Sequence, residues 1–130
     1  MKNKVLQEQR MRRYFIQAAK EILKGEGLTC LSVRNIAEKA GYSYATLYNY
    51  FKDLKALVLV CVKEFQAECE EYVLKQTKNT VRGKIKITEI INSYITYFIQ
   101  YPSVFNLFFV EGLGSSGEKQ NVGELISMFL

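Results

Sequence analysis

The chain has 130 residues, 48% of them hydrophobic and 24% charged, with one proline and no histidine, which excludes a disordered tail and fits one or two small domains of mainly helical structure. The net charge of +5 is unevenly placed: residues 1–60 carry 11 Lys and Arg against 5 Asp and Glu, and residues 61–130 carry 7 against 8. A basic half beside a near-neutral one fits either a solvated basic surface or an acidic partner such as nucleic acid.

Apolar residues first recur with helical period from about Gln7 to Lys24. Phe15, Ile16, Ala19, Ile22 and Leu23 form one stripe, and Gly25 and Gly27 are placed to end the helix. Ser32 predicts an N-cap, followed by a short helix with Val33, Ile36 and Ala37 inward and Gly41 as its breaker. Ser43 predicts the cap of a second short helix running to about Tyr50, anchored by Leu47. Asp53 predicts the cap of a long helix whose stripe is Leu54, Leu57, Val58, Cys61, Val62, Phe65, Cys69, Tyr72 and Val73.

Residues 79–83 read as a turn, and a further helix is expected over about Lys84–Gln100. Its part from Ile90 to Ile99 is apolar almost all round, which predicts a place in the middle of a bundle. Pro102 is suited to position N1 of the next helix, to about Glu111. Gly112, Gly114, Ser115, Ser116 and Gly117 predict a flexible loop, and Asn121 with Glu124 predicts the start of a last helix that reaches Leu130.

The three cysteines, Cys30, Cys61 and Cys69, form no C-x-x-C pair, so neither a zinc site nor any other cofactor is expected. Their odd number fits a reducing, cytoplasmic setting. The polar, basic start does not read as a signal peptide, and no apolar run approaches the roughly 20 residues that span a bilayer, so no membrane partner is expected. An enzyme is disfavoured as well: there is no histidine, no G-x-S-x-G and no phosphate-cradling glycine loop.

The informative segment is residues 33–51. Ala37, Gly41 and Leu47 stand at i, i+4 and i+10: a small residue where two helices cross, a residue that accepts positive φ, and an apolar anchor. That spacing suits a DNA-binding helix-turn-helix. Ala37 and Gly41 alone fit an ordinary helix hairpin equally well. The residues that follow tip the balance, because Ser43, Tyr44, Thr46, Tyr48, Asn49 and Tyr50 crowd hydroxyls and an amide onto one short helix, as phosphate oxygens and base edges require.

Ile36-Ala37, Ala40-Gly41-Tyr42-Ser43, Thr46-Leu47-Tyr48, Tyr50-Phe51 and Leu57, preceded by Ala18-Ala19 and Gly25-Glu26-Gly27, resemble the signature of the tetracycline-repressor (TetR) family. The resemblance covers roughly residues 10–60 and is only architectural beyond. It implies an all-α fold: a three-helix DNA-binding domain with a helix-turn-helix over 1–53, and a partial helical ligand-binding and dimerisation domain over 54–130. It also implies a homodimeric repressor bound to a double-stranded operator and released by a small-molecule effector. Ser43, Tyr48 and Tyr50 would meet phosphates, Tyr44, Thr46 and Asn49 would reach bases, and Arg34 would reach a phosphate or groove edge. Lys2, Lys4, Arg10, Arg12 and Arg13 would form a flexible arm on flanking DNA.

Two positions depart from the family's pattern. Leu54 stands where a phosphate-binding Lys is common, which leaves Lys52 or Lys55 to take that role, and Ala45 stands where Gly is frequent. Tyr94, Tyr97, Phe98, Tyr101, Phe105, Phe108 and Phe109 cluster around Pro102. They fit either plain core or the walls of a pocket for an apolar or neutral aromatic effector. Family members continue past this length, and their last two helices build the dimer, so the resemblance implies either that the chain is a fragment or that it dimerises differently, for which the apolar end Leu125–Leu130 is suited. The competing reading is a helical protein-interaction module with incidental DNA binding.

Overall fold

The computed structural model describes residues 2–113. Its elements are α1 (Lys2–Gly25), a single 3-10 turn (Leu28–Cys30), α2 (Val33–Ala40), α3 (Tyr44–Leu47), α4 (Leu54–Thr77), α5 (Lys84–Gln100) and α6 (Pro102–Phe105), which widens into a π-type turn over Asn106–Val110. No strand occurs among the described residues. The chain divides into two compact units, Met1–Cys61 and a second beginning at Val62. The last expected helix and most of the glycine–serine loop lie outside the described residues.

In the first unit the core is the stripe read from sequence. Phe15, Ile16, Ala19, Ile22 and Leu23 of α1 are buried, with Ile36 and Ala37 of α2, Leu47 of α3, and Phe51, Leu57, Val58 and Cys61. One expectation about α1 is corrected. It starts at Lys2, so the basic residues expected in a flexible arm are helical. At its other end Gly25 is the last helical residue, and the left-handed conformation falls on Gly27, φ 91°. The Gly27 N–H still bonds back to the Ile22 carbonyl at 3.2 Å, so the helix ends as expected, two residues on.

In the second unit Val62, Phe65, Cys69 and Val73 of α4 and Ile90, Ser93, Tyr94 and Tyr97 of α5 are buried. Here α5 overturns its expectation. Ile87, Ile91, Ile95 and Ile99, spaced four apart along one face, are all exposed, Ile99 to 75%. Among the described residues this helix is covered on one side only. Pro102 opens α6 at its first turn as expected, but the helix does not keep its pitch to Glu111. From Asn106 it widens, and the Glu111 N–H bonds to the Asn106 carbonyl at 2.8 Å, five residues back.

Candidate nucleic-acid interface

Local hydrogen bonds set the two short helices. Ser32 and Asn35 form a reciprocal capping box: the Ser32 Oγ accepts from the Asn35 N–H at 3.1 Å, and the Asn35 Oδ1 accepts from the Ser32 N–H at 2.8 Å. This satisfies two of the N–H groups that a helix start leaves unpaired. At the other end Gly41 adopts φ 86°, and the N–H groups of Gly41 and Tyr42 both reach back to the Ala37 carbonyl, at 2.9 and 3.0 Å. The chain is thereby turned within three residues, from the end of α2 to the cap of α3.

Ser43 then caps α3. Its Oγ accepts from the Thr46 N–H at 3.2 Å and shares a further hydrogen bond with the Thr46 hydroxyl at 2.9 Å. Regular α-geometry covers only Tyr44–Leu47, shorter than the expected helix to Tyr50. Beyond it the N–H groups of Asn49, Tyr50 and Phe51 bond to Thr46 and Leu47 carbonyls at 3.0–3.1 Å, so the segment winds on as tight turns. Asp53 caps α4 as expected, its Oδ1 accepting from the Ala56 N–H at 2.8 Å.

This framework sorts the side chains. Leu47 is fully buried and pins the segment to the core. Tyr44 and Tyr48 are 54% and 51% exposed, and Ser43, Asn49, Arg34, Lys52 and Lys55 are exposed too. Thr46 is half-buried with its hydroxyl on Ser43. Tyr50 is half-buried and stands apart from the exposed set: its ring lies 6.1 Å from Phe15 and its hydroxyl donates to the Met11 Sδ at 3.4 Å. Leu54 is half-buried at the start of α4, between exposed Asp53 and Lys55.

Sequence reasoning missed how α1 braces this segment. Tyr14 stacks on Tyr42 with centroids 6.2 Å apart, Met11 receives Tyr50, and the Arg12 guanidinium lies 5.1 Å from the centroid of the Phe51 ring. These contacts bracket α3 from both ends. No periodic signal marks them, because each joins residues far apart in sequence through a ring face or a thioether.

The seven aromatic residues expected around Pro102 pack on one another. Phe98 meets Tyr94, Tyr97, Phe105, Phe108 and Phe109 at centroid distances of 5.4–6.2 Å, and Tyr97 lies 5.1 Å from Tyr101. Tyr94, Tyr97 and Phe108 are buried. An open hollow of about 290 Å³ is lined by Tyr72, Gln76, Glu89, Asn92, Ser93 and Thr96, and it adjoins the aromatic set through Tyr72, whose ring centroid lies 5.8 Å from that of Tyr97. Two of its hydroxyls are already used: Ser93 donates to the Glu89 carbonyl at 2.7 Å and Thr96 to the Asn92 carbonyl at 2.8 Å.

The arrangement defines a helix-turn-helix head at the N-terminal end of an all-α chain. Residues 15–61 match the family model of bacterial regulatory proteins, tetR family. Among solved structures the chain is similar to a TetR family transcription regulator from Marinobacter aquaeolei VT8, with a TM-score of 0.58 and 22% identity. The match covers 81% of this chain and 53% of that one. It is a likeness of fold, and this chain spans about half the length of that regulator. No helix among the described residues is long and apolar enough to cross a membrane.

Proposed function

We propose that the protein is a DNA-binding transcriptional regulator working in the cytoplasm, a homodimeric repressor released from its operator by a small apolar or aromatic effector. Residues 1–53 are the reading head, and residues 54–130 belong to the effector-binding and dimerisation part. The observation that carries the reading is the contrast across α3. Leu47 is wholly buried while Tyr44 and Tyr48 on the same short segment are each more than half exposed. Exposed phenols backed by a rigid turn are suited to a groove of phosphates and base edges. In this reading Ser43 and Tyr48 serve phosphates, Tyr50 joins them only by releasing the Met11 Sδ that holds its hydroxyl, Tyr44, Thr46 and Asn49 serve bases, and Arg34, Lys52 and Lys55 flank them.

The effector part of the proposal is supported by the aromatic set around Phe98, whose rings supply apolar walls and whose tyrosines supply polar handles. The exposed isoleucines of α5 favour a second reading, a helical module that binds a protein through that face. Footprinting on the DNA flanking the chain's own coding region separates the two. A protected site of paired half-sites supports the regulator, and loss of protection with an added aromatic compound supports release by an effector. Absence of any protected site leaves the interaction module.

A further inference from the structure

The turn between α4 and α5 has no part in the reading head. Residues 78–87 hold four cations, Lys78, Arg82, Lys84 and Lys86, and no acid. Among the described residues none of the four is in an ion pair. Three branched apolar side chains stand exposed among them: Val81 at 83%, Ile85 at 71% and Ile87 at 36%. The turn is held in place. The Thr80 N–H bonds to the Thr77 carbonyl at 3.1 Å, and the Thr80 hydroxyl donates to the Glu89 carboxylate. An open recess of about 610 Å³ lies there, with Val81 and Ile85 as apolar wall and Arg82 and Lys84 as cations.

The same end of α5 begins the exposed row of Ile87, Ile91, Ile95 and Ile99, which runs for about 18 Å at the usual rise per residue. Thr88, Asn92 and Thr96 beside the row are exposed and uncharged. An apolar row spaced four apart is the ridge with which one helix packs on another, and scarcity of charge marks the centre of a protein contact. An apolar patch with a charged rim is the surface of an interaction site. Charge decides the occupant. A second copy laid face to face brings the same cations to a helix whose one acid, Glu89, already accepts from Thr80. A segment that carries acidic residues gains from the cations instead.

We propose that the outward side of α5 and the turn before it form a docking face for an acidic amphipathic helix of another protein. The apolar side of that helix covers the isoleucine row, and its acidic end meets Arg82 and Lys84 in the recess. The inference does not rest on the DNA-binding reading. It gives the exposed face of α5 a partner of stated shape and charge.

The test measures fluorescence anisotropy of the full chain with labelled synthetic helical peptides. The first carries leucines along one side and glutamates at one end, the second has lysines in place of the glutamates, and the third has serines in place of the leucines. Only the first is expected to bind, and more weakly as salt rises. Arg82→Ala/Lys84→Ala is expected to weaken its binding about three- to tenfold, and Ile95→Ser/Ile99→Ser about tenfold or more. Both variants should keep the wild-type Tm, because all four positions are exposed. No binding of the acidic peptide, equal binding of the acidic and basic peptides, or wild-type affinity in either variant overturns the proposal. Sedimentation equilibrium tests the other protein occupant: a wild-type dimer that Ile95→Ser/Ile99→Ser dissociates assigns the face to a second copy, and the proposal falls. It falls too if Arg82→Ala/Lys84→Ala weakens binding to a random-sequence duplex and leaves the acidic peptide bound as before. No DNA enters the peptide measurement, so its failure and the failure of the DNA-binding reading are separate results.

Discussion

The Ser43 hydroxyl holds Thr46 twice, accepting from its backbone N–H at 3.2 Å and sharing a 2.9 Å hydrogen bond with its hydroxyl. Two of the polar groups proposed to face DNA are thus tied to each other before any DNA arrives. Ser43→Ala is expected to cost about 1 kcal/mol of stability, the usual worth of an N-cap. Thr46→Val removes only the shared bond. Because the two changes remove one common interaction, their stability effects should fail to add by about 0.5 kcal/mol or more. Urea melts of both single variants and the double measure this, and strict additivity would show that the hydroxyls act independently.

Gly41 makes a sharper test of the turn. At φ 86° a Cβ added there would meet nothing within 4 Å, so the cost of a side chain is backbone strain and not collision. Gly41→Ala is expected to lose about 1–2 kcal/mol, Gly41→Val more, and Gly41→Asn least, since Asn tolerates the left-handed region. The order of melting temperatures checks this. Equal losses for Ala and Asn would point to crowding in place of strain.

Tyr48 is half exposed and its backbone N–H, not its ring, closes α3 by bonding to Tyr44 at 3.3 Å. Tyr48→Ala should therefore leave stability within about 0.5 kcal/mol of wild type, as is usual for exposed positions. In the role of a phosphate contact it should weaken binding to operator and random duplex by the same factor. Fluorescence anisotropy with both duplexes is the measurement. A loss confined to operator would transfer Tyr48 to the base-reading group.

The features legible in sequence were those whose cause is local. Ser32, Gly41, Ser43 and Asp53 mark caps and a turn because a side-chain oxygen or a missing Cβ acts within three residues of itself. The buried stripe of α1 was legible because its period matches the helix. The N-terminal extension of that helix was not, because Lys2 to Arg10 bury no face and leave no apolar period to read. Nor did sequence foretell the open side of α5. Ile87, Ile91, Ile95 and Ile99 look like core residues in one dimension, and only packing decides which side of an all-round apolar helix is covered. The brace of Met11, Arg12 and Tyr14 on residues 42–51 was hidden for a third reason: Met–Tyr, Arg–Phe and Tyr–Tyr contacts across 28–39 positions have no sequence period.

The second unit holds a buried group that pH should expose. The Tyr97 hydroxyl has no hydrogen-bond partner among the described residues. Burial above all, and then Cys69, Glu68 and Tyr101 nearby, raise its pKa above the ordinary 10.0. Tyr94 is raised in the same direction by burial, Cys69 and Glu70. Burial and the Glu70 carboxylate push the Cys69 thiol from 9.0 up to about 12. Each group keeps its proton in the folded state to a higher pH than in the unfolded chain. Their contribution to stability is therefore complete below the unfolded values and is lost as pH rises through them toward the folded ones. Melting temperature should stay level to about pH 8.5 and then fall, first through the thiol and from about pH 10 through the phenols as well, by up to roughly 1.4 kcal/mol per pH unit for each group titrating. Tyr97→Phe deletes one of these titrations together with an unpaired buried hydroxyl, a group that costs about 1–3 kcal/mol when left without a partner. The variant is expected to match or exceed wild-type stability at pH 7 and to lose stability less steeply above pH 10. Circular dichroism melts of both proteins between pH 7 and 11 measure this. A variant clearly less stable than wild type at pH 7 would show that the hydroxyl is held by a hydrogen bond in the protein, and the alkaline slopes of the two proteins should then differ for that reason instead.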